Sequence, residues 1–136
     1  MTTKPETKFW RRIKNKFTKI TFTRIEAVTP TGLPDLNGLF LDPEKKPHEF
    51  WVELKVSSGN RVRLSPGQIS WHMNRFKLGG KSFIMVTPLE QRGISVYSGG
   101  RTLDLVSQGL NLEPCAFFPE PCVFSNLESW FMNHVP

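Results

Sequence analysis

Seven residues of the chain, Phe50 to Val56, read FWVELKV and constrain the fold more than any other stretch. Aromatic and β-branched residues dominate the run, which marks it as a strand. Side chains on a strand alternate between two faces. Val52, Leu54 and Val56 therefore point one way, and Trp51, Glu53 and Lys55 the other. The apolar set can bury against a helix. The charged set needs a cleft or the edge of a sheet, because burying both charges unpaired costs several kcal/mol. If PDLNG, from Pro34, begins the preceding strand of a hairpin, Asp35 approaches the same face. Two carboxylates and one ammonium then converge. Hard carboxylate oxygens suit Mg²⁺, and a neighbouring ammonium can orient water or offset charge on a phosphate.

The surrounding sequence supplies elements to hold this strand. PETKFWRRIKNKFTK sets Phe9, Trp10, Ile13 and Phe17 on one helical stripe with basic residues opposite, so a basic amphipathic helix is expected within residues 1–20. KITFTRIEAV alternates as a strand, DPEKKPHE reads as a polar loop, and SSGNRVR as a basic loop. LSPGQISWHMNRFKLGG is a helix with both ends marked: Ser65 caps it, Pro66 fits its first position, and Gly79-Gly80 stops it. Ile69, Met73 and Phe76 form its apolar face. SFIMV and ISVYS are two further strands, and RTLDLVSQG is a short helix. SNLESWFMNH is a last helix, opened by a capping-box pattern from Ser125 to Glu128. The expected fold is α/β: a small mixed sheet flanked by helices. At 136 residues the chain is read as one domain, with residues 21–100 as the core and 101–136 as a helical, aromatic segment.

The net charge of +6 is unevenly spread. Between Met1 and Arg24 eight basic residues face one acid, Glu6, whereas from Arg101 onward one basic residue faces four acids. A basic end on a compact domain points to a polyanion, of which nucleic acid is the commonest; a solvated charged face is the plainer reading. No apolar run approaches the roughly 18 residues of a membrane span, and the N-terminus has no signal-peptide core. No membrane role is expected, and the expected setting is intracellular and cytoplasmic. Cys115 and Cys122 have neither zinc nor redox spacing and are read as free thiols. There is no P-loop, dinucleotide fingerprint or nucleophile elbow.

Three segments in order, GLPD, VELK and LSPGQISWH, resemble the PD-(D/E)xK nuclease superfamily. Within it, the chain is most similar to the small phage-type enzymes related to VRR-Nuc domains and Holliday-junction resolvases. The resemblance runs from about Arg24 to Val86 and is strongest between Gly32 and Trp71. It implies a restriction-endonuclease-like core and a metal-dependent endonuclease acting on DNA. Asp35, Glu53 and the backbone carbonyl of Leu54 would bind Mg²⁺, with Mn²⁺ as a substitute. Lys55 would position the attacking hydroxide, and Gln68 would bond near the metal or Lys55. Family members often carry a further upstream acid, for which Glu26 is the first choice and Glu6 the second. Expected DNA contacts are Arg11, Arg12, Lys14 and Arg24, then Arg61, Arg63, Ser65 and His72. Branched DNA is the expected partner, because so small a chain has little surface for reading sequence. Symmetric cutting of a junction implies a homodimer, for which the aromatic segment Phe117 to Phe131 offers a surface. The resemblance further implies a phage origin and work on recombining or processed DNA in host cytoplasm.

The same residues admit plainer roles. Glu53 and Lys55 can be an exposed ion pair, and Asp35 a turn former. Gln68 can close a capping box with Ser65. Glu26 can be an ordinary acid, His72 a structural histidine, and Trp71 a packing residue. The chain can also be a nucleic-acid-binding module that does not cleave, or a restriction-like enzyme that cuts linear duplex.

Overall fold

The computed structural model describes residues 4–26, 32–90 and 92–136. Helix α1 (Pro5–Ile13) carries proline in its first turn, where a missing N–H costs nothing, and buries Phe9 and Ile13. Strands β1 (Thr21–Arg24), β2 (Leu36–Leu41) and β3 (Pro47–Ser57) follow as a meander. Helix α2 (Pro66–Lys77) leads to β4 (Ser82–Pro88) and β5 (Gly93–Ser98). Helix α3 (Thr102–Gln108), strand β6 (Ala116–Pro119) and helix α4 (Phe124–His134) complete the chain.

The six strands form one mixed sheet in sequence order. Every neighbouring pair is antiparallel except β3 and β4. A parallel pair needs a crossover, and α2 provides it. Period-two alternation then sorts the faces. Phe50, Val52 and Leu54 of β3 join Phe83 and Met85 of β4 in a core closed by Phe9 and Ile13 of α1 and Leu127 and Phe131 of α4. Phe50 is its centre: its ring stacks on Phe131 at 4.8 Å and meets Phe22, Phe40 and Phe83 edge-on. On the opposite face Ile84, Val86 and Tyr97 pack with Val62, Leu105 and Leu112. The α/β expectation holds: helices cover both faces of a mixed sheet.

Four local expectations need correction. Helix α1 ends at Ile13 and does not run to residue 20. The cause lies 110 residues away, where Glu128 Oε2 accepts the backbone N–H groups of Thr18, Lys19 and Ile20 at 2.8–3.0 Å. Those bonds hold the segment out of helical geometry. Glu128 therefore does not serve a capping box with Ser125; α4 starts at Phe124 without a side-chain cap. The proline-containing DPEKKPHE segment is partly strand, since Asp42 Oδ1 ties off a turn at Glu44 and Lys46 and frees Pro47 onward to extend β3. On α2 the buried position is His72, while Phe76 is 56% exposed. The helix lies over polar side chains of the sheet, so its inward position is polar. Glu128→Gln is expected to cost about 2 kcal/mol, because three N–H groups lose a charged acceptor. Urea denaturation measures this.

Strand β6 was not expected. It is four residues long, lies between prolines, and pairs only at the sheet edge with β5. The aromatic segment around it is largely core. Phe131 is fully buried and Phe118, Phe124 and Trp130 pack against the core, leaving Phe117 exposed. No helix among the described residues is long and apolar enough to cross a membrane.

Candidate active site

The site begins where β2 leaves β3. Leu36 pairs with Val52, and β2 goes no further. Beyond that point the N–H groups of Leu54 and Val56 have no strand partner on that side. A free strand edge must be satisfied otherwise. Asp35 Oδ2 accepts the Leu54 N–H at 2.8 Å, and Glu6 Oε2 accepts the Val56 N–H at 3.3 Å. The hairpin thus brings Asp35 to β3, and α1 brings Glu6 there. Asp35 owes its placement to the turn before it. Gly32 adopts φ +76°, and a Cβ there would overlap the Gly67 carbonyl, so only glycine lets this turn lie against the start of α2.

Gln68 ties the strand to the helix. Its Oε1 accepts from Ser65 N–H at 3.0 Å while Ser65 Oγ accepts from Gln68 N–H at 3.1 Å, a complete capping box. The same Oε1 accepts from Lys55 Nζ at 3.1 Å, and Gln68 Nε2 donates to Glu53 Oε2 at 3.3 Å. The two readings of Gln68 are therefore not alternatives. The cap fixes the side chain, and the fixed amide holds both Glu53 and Lys55. Gln68→Ala is expected to cost about 1 kcal/mol through the lost cap, whereas Gln68→Glu keeps an acceptor for Ser65 but adds an acid beside Glu53. Thermal melts measure the loss.

Glu53 is 2% exposed. Burial, then the Asp35 charge and a hydrogen bond with Asp35, push its carboxyl up to about 9. Lys55 opposes that rise, and Glu6 adds to it. Behind Glu53 lies His72, wholly buried, with Nδ1 2.9 Å from Ser82 Oγ and Nε2 3.5 Å from Glu53 Oε1. Burial and the nearby Lys55 lower the imidazole to about 4, so it is neutral. Neither Glu53 Oε1 nor His72 Nε2 has a hydrogen-bond partner.

The donor set fits a hard divalent cation. Asp35 and Glu53 offer carboxylate oxygen, and with burial the Asp35 charge keeps the Glu53 carboxyl from ionising until a cation offsets it. Among the described residues no three His, Cys, Asp or Glu side chains form a ready-made metal cluster. Two carboxylates match Mg²⁺, which keeps several of its waters, better than an ion requiring a full protein cage.

The remaining sequence candidates divide. Arg61 and Arg63 are exposed and line a groove of about 250 Å³ with Glu6, Lys55 and Ser58. Arg11 and Lys14 are exposed on or beside α1, and Arg24 is half-buried at the end of β1. Arg12 is held by Glu120 at 2.6 Å. Ser65 Oγ is committed to the cap. His72 is corrected as a DNA contact: it has no exposed surface and lies beneath Glu53. Glu26 is exposed, whereas Glu6 is half-buried and its charge adds to the rise of Glu53. Residues 27–31, between Glu26 and the site, lie outside the described set. Sequence reasoning missed the layer formed by Trp51, Trp71 and Arg75, where the Arg75 guanidinium sits 4.4 Å from the Trp71 ring centre. The four-residue spacing of Trp71 and Arg75 on a helix was the available signal.

No family model matches the chain. No curated protein matches it either. Among solved structures it is similar to the 1.6 Å structure of Hjc, a Holliday junction resolvase from the archaeal hyperthermophile Archaeoglobus fulgidus. The identity is 11%, the TM-score 0.45, and the match spans 69% of this chain and 74% of that one. A likeness of this degree carries no argument about what the chain does.

Proposed function

We propose that this chain is a Mg²⁺-dependent DNA endonuclease that prefers branched substrates. One observation carries the reading: Asp35, Glu53, Lys55 and Gln68 converge where β3 has an open edge and α2 begins. Asp35 and Glu53 would hold the ion, with the Leu54 carbonyl beside them and Glu6 as the further acid. When bound, the ion polarises a phosphate oxygen and acidifies a water. Lys55, held by the Gln68 amide, directs its ammonium to where charge develops on the phosphate. Arg61 and Arg63 bind the flanking backbone as positioning contacts. A second copy of the chain would supply the second cut of a junction.

Cleavage of four labelled DNAs tests this: linear duplex, single strand, a flap and a four-way junction, each with Mg²⁺ or EDTA. The expected result is Mg²⁺-dependent cutting of the junction or flap, lost in Glu53→Ala. Discrete cutting of plain duplex would replace the proposal with a restriction-like enzyme. Salt-sensitive binding without cutting of any substrate would leave a binding module.

A further inference from the structure

Glu53 and Lys55 have a third neighbour on their face of β3, Trp51, and its ring meets Trp71, which lines a second groove. This groove, of about 660 Å³, runs along α2 past Trp71 and Arg75 to Gly80, within the ~300–1,000 Å³ typical of small-ligand sites. Trp51 and Trp71 meet edge-on at 5.6 Å, and the Arg75 guanidinium lies 4.4 Å from the Trp71 centroid and 5.8 Å from that of Trp51. All three side chains are half-buried. No carboxylate lines the groove, and among the described residues none pairs with Arg75. The arginine is therefore an un-neutralised planar cation layered on an indole. Its stem lies against Gly80, where a Cβ would overlap Arg75 Cδ and Cγ.

Position adds direction. Gln68, Trp71 and Arg75 fall at i, i+3 and i+7, one stripe of α2. Arg75 lies about 10 Å along the helix axis from Gln68, three base steps at ~3.4 Å each. The Arg61–Arg63 groove lies beside Lys55. The first groove includes Lys55 and the second begins at Gly67, next to Gln68, with chemistries suited to phosphate and to base.

We propose that the α2 groove is a subsite for an unpaired nucleotide of the substrate, its base stacked on the Arg75–Trp71 layer. The proposal rests on the nuclease reading for its substrate class and adds the feature that selects branched over continuous DNA. A base in duplex has both π-faces covered by its neighbours, whereas one at a flap or junction can leave the stack. Aromatic and guanidinium planes bind such bases with little regard to sequence.

The test uses the full chain in EDTA, so that nothing is cut. Flap, single-stranded and duplex DNA carrying 2-aminopurine are titrated with wild type, Trp71→Ala, Trp71→Phe, Arg75→Ala and Gly80→Ala, each checked for folding by circular dichroism. Trp71→Ala and Arg75→Ala are expected to raise Kd for flap and single strand about tenfold, leave duplex within about twofold, and abolish the 2-aminopurine quenching at the unpaired position. Trp71→Phe retains most of the affinity, and Gly80→Ala, which displaces Arg75, behaves as Arg75→Ala. Equal weakening on all DNAs, or no change on any, overturns the subsite. If Trp71→Ala misfolds, Trp71→Phe and Arg75→Ala decide. Stacking through Trp71 without Mg²⁺-dependent cutting would leave the subsite and remove the nuclease; cutting indifferent to residues 71 and 75 would do the reverse.

Discussion

Asp35→Asn is expected to lower Mg²⁺-dependent cleavage about a thousandfold or more while leaving DNA affinity in EDTA nearly unchanged. The substitution is chosen for what it keeps. Asp35 Oδ2 accepts the Leu54 N–H, and an asparagine oxygen can accept the same bond, so the open edge of β3 stays satisfied. What is lost is one of two negative charges. That charge is also a main reason, after burial, that Glu53 resists ionisation. Asp35→Asn should therefore make Glu53 easier to ionise and the cation harder to hold. Single-turnover cleavage together with filter binding in EDTA reads both consequences. A variant that folds normally but loses DNA binding along with cleavage would mean that the acids serve structure, and the catalytic assignment would fail.

The metal-free protein is expected to lose about 3 kcal/mol of stability between pH 6.5 and pH 9, and Glu53→Gln is expected to remove most of that loss. The native Glu53 carboxyl titrates at about 9, against an ordinary value of 4.5. Between those values the unfolded chain has released a proton that the native protein still holds, so stability falls as pH rises. The contribution is whole below 4.5 and gone above 9. His72 runs the other way, with a native value of about 4 against 6.5 unfolded, so its contribution is whole above 6.5 and lost as pH falls toward 4. The two oppose each other from about 4.5 to 6.5, giving a plateau, and Glu53 acts alone above it. Urea denaturation at pH 6.5 and 9 measures the loss. Saturating Mg²⁺ should flatten it, since an ion that takes the carboxylate releases its proton on binding. A wild-type curve that is flat in EDTA would show that Glu53 is ionised without a cation, and the fit of the site to Mg²⁺ would lose its main support.

The strand FWVELKV, the capped helix after it and the PD preceding β2 were all legible, because each depends on local periodicity or capping chemistry. The same rules set Glu53 and Lys55 on one face of the strand with Asp35 within reach, and placed Gln68 at the capped start of α2. They failed where a residue's partner lay far away in sequence. Glu128 looked like a capping residue and instead holds the backbone of Thr18 to Ile20. Glu6 reaches the edge of β3 because α1 carries it there, a contact that no local rule shows. His72, which admits both a DNA contact and a structural role, lies wholly buried behind Glu53, and only the packing of α2 on the sheet separates the two.

By itself, then, the sequence determined the central strand and the capped helix after it, and that two acids, a lysine and a glutamine share one strand–loop–helix unit. Alternation on a strand and capping at a helix start are set by neighbours a few residues apart. Only the tertiary structure decided that Glu6 reaches the edge of β3, that Glu53 is buried against neutral His72, and that Arg75 lies on the Trp71 indole with Trp51 beside it. Those outcomes follow from β2 ending at Leu36 and from α1 and α2 crossing opposite faces of the sheet, and no local pattern encodes where a strand's partner stops.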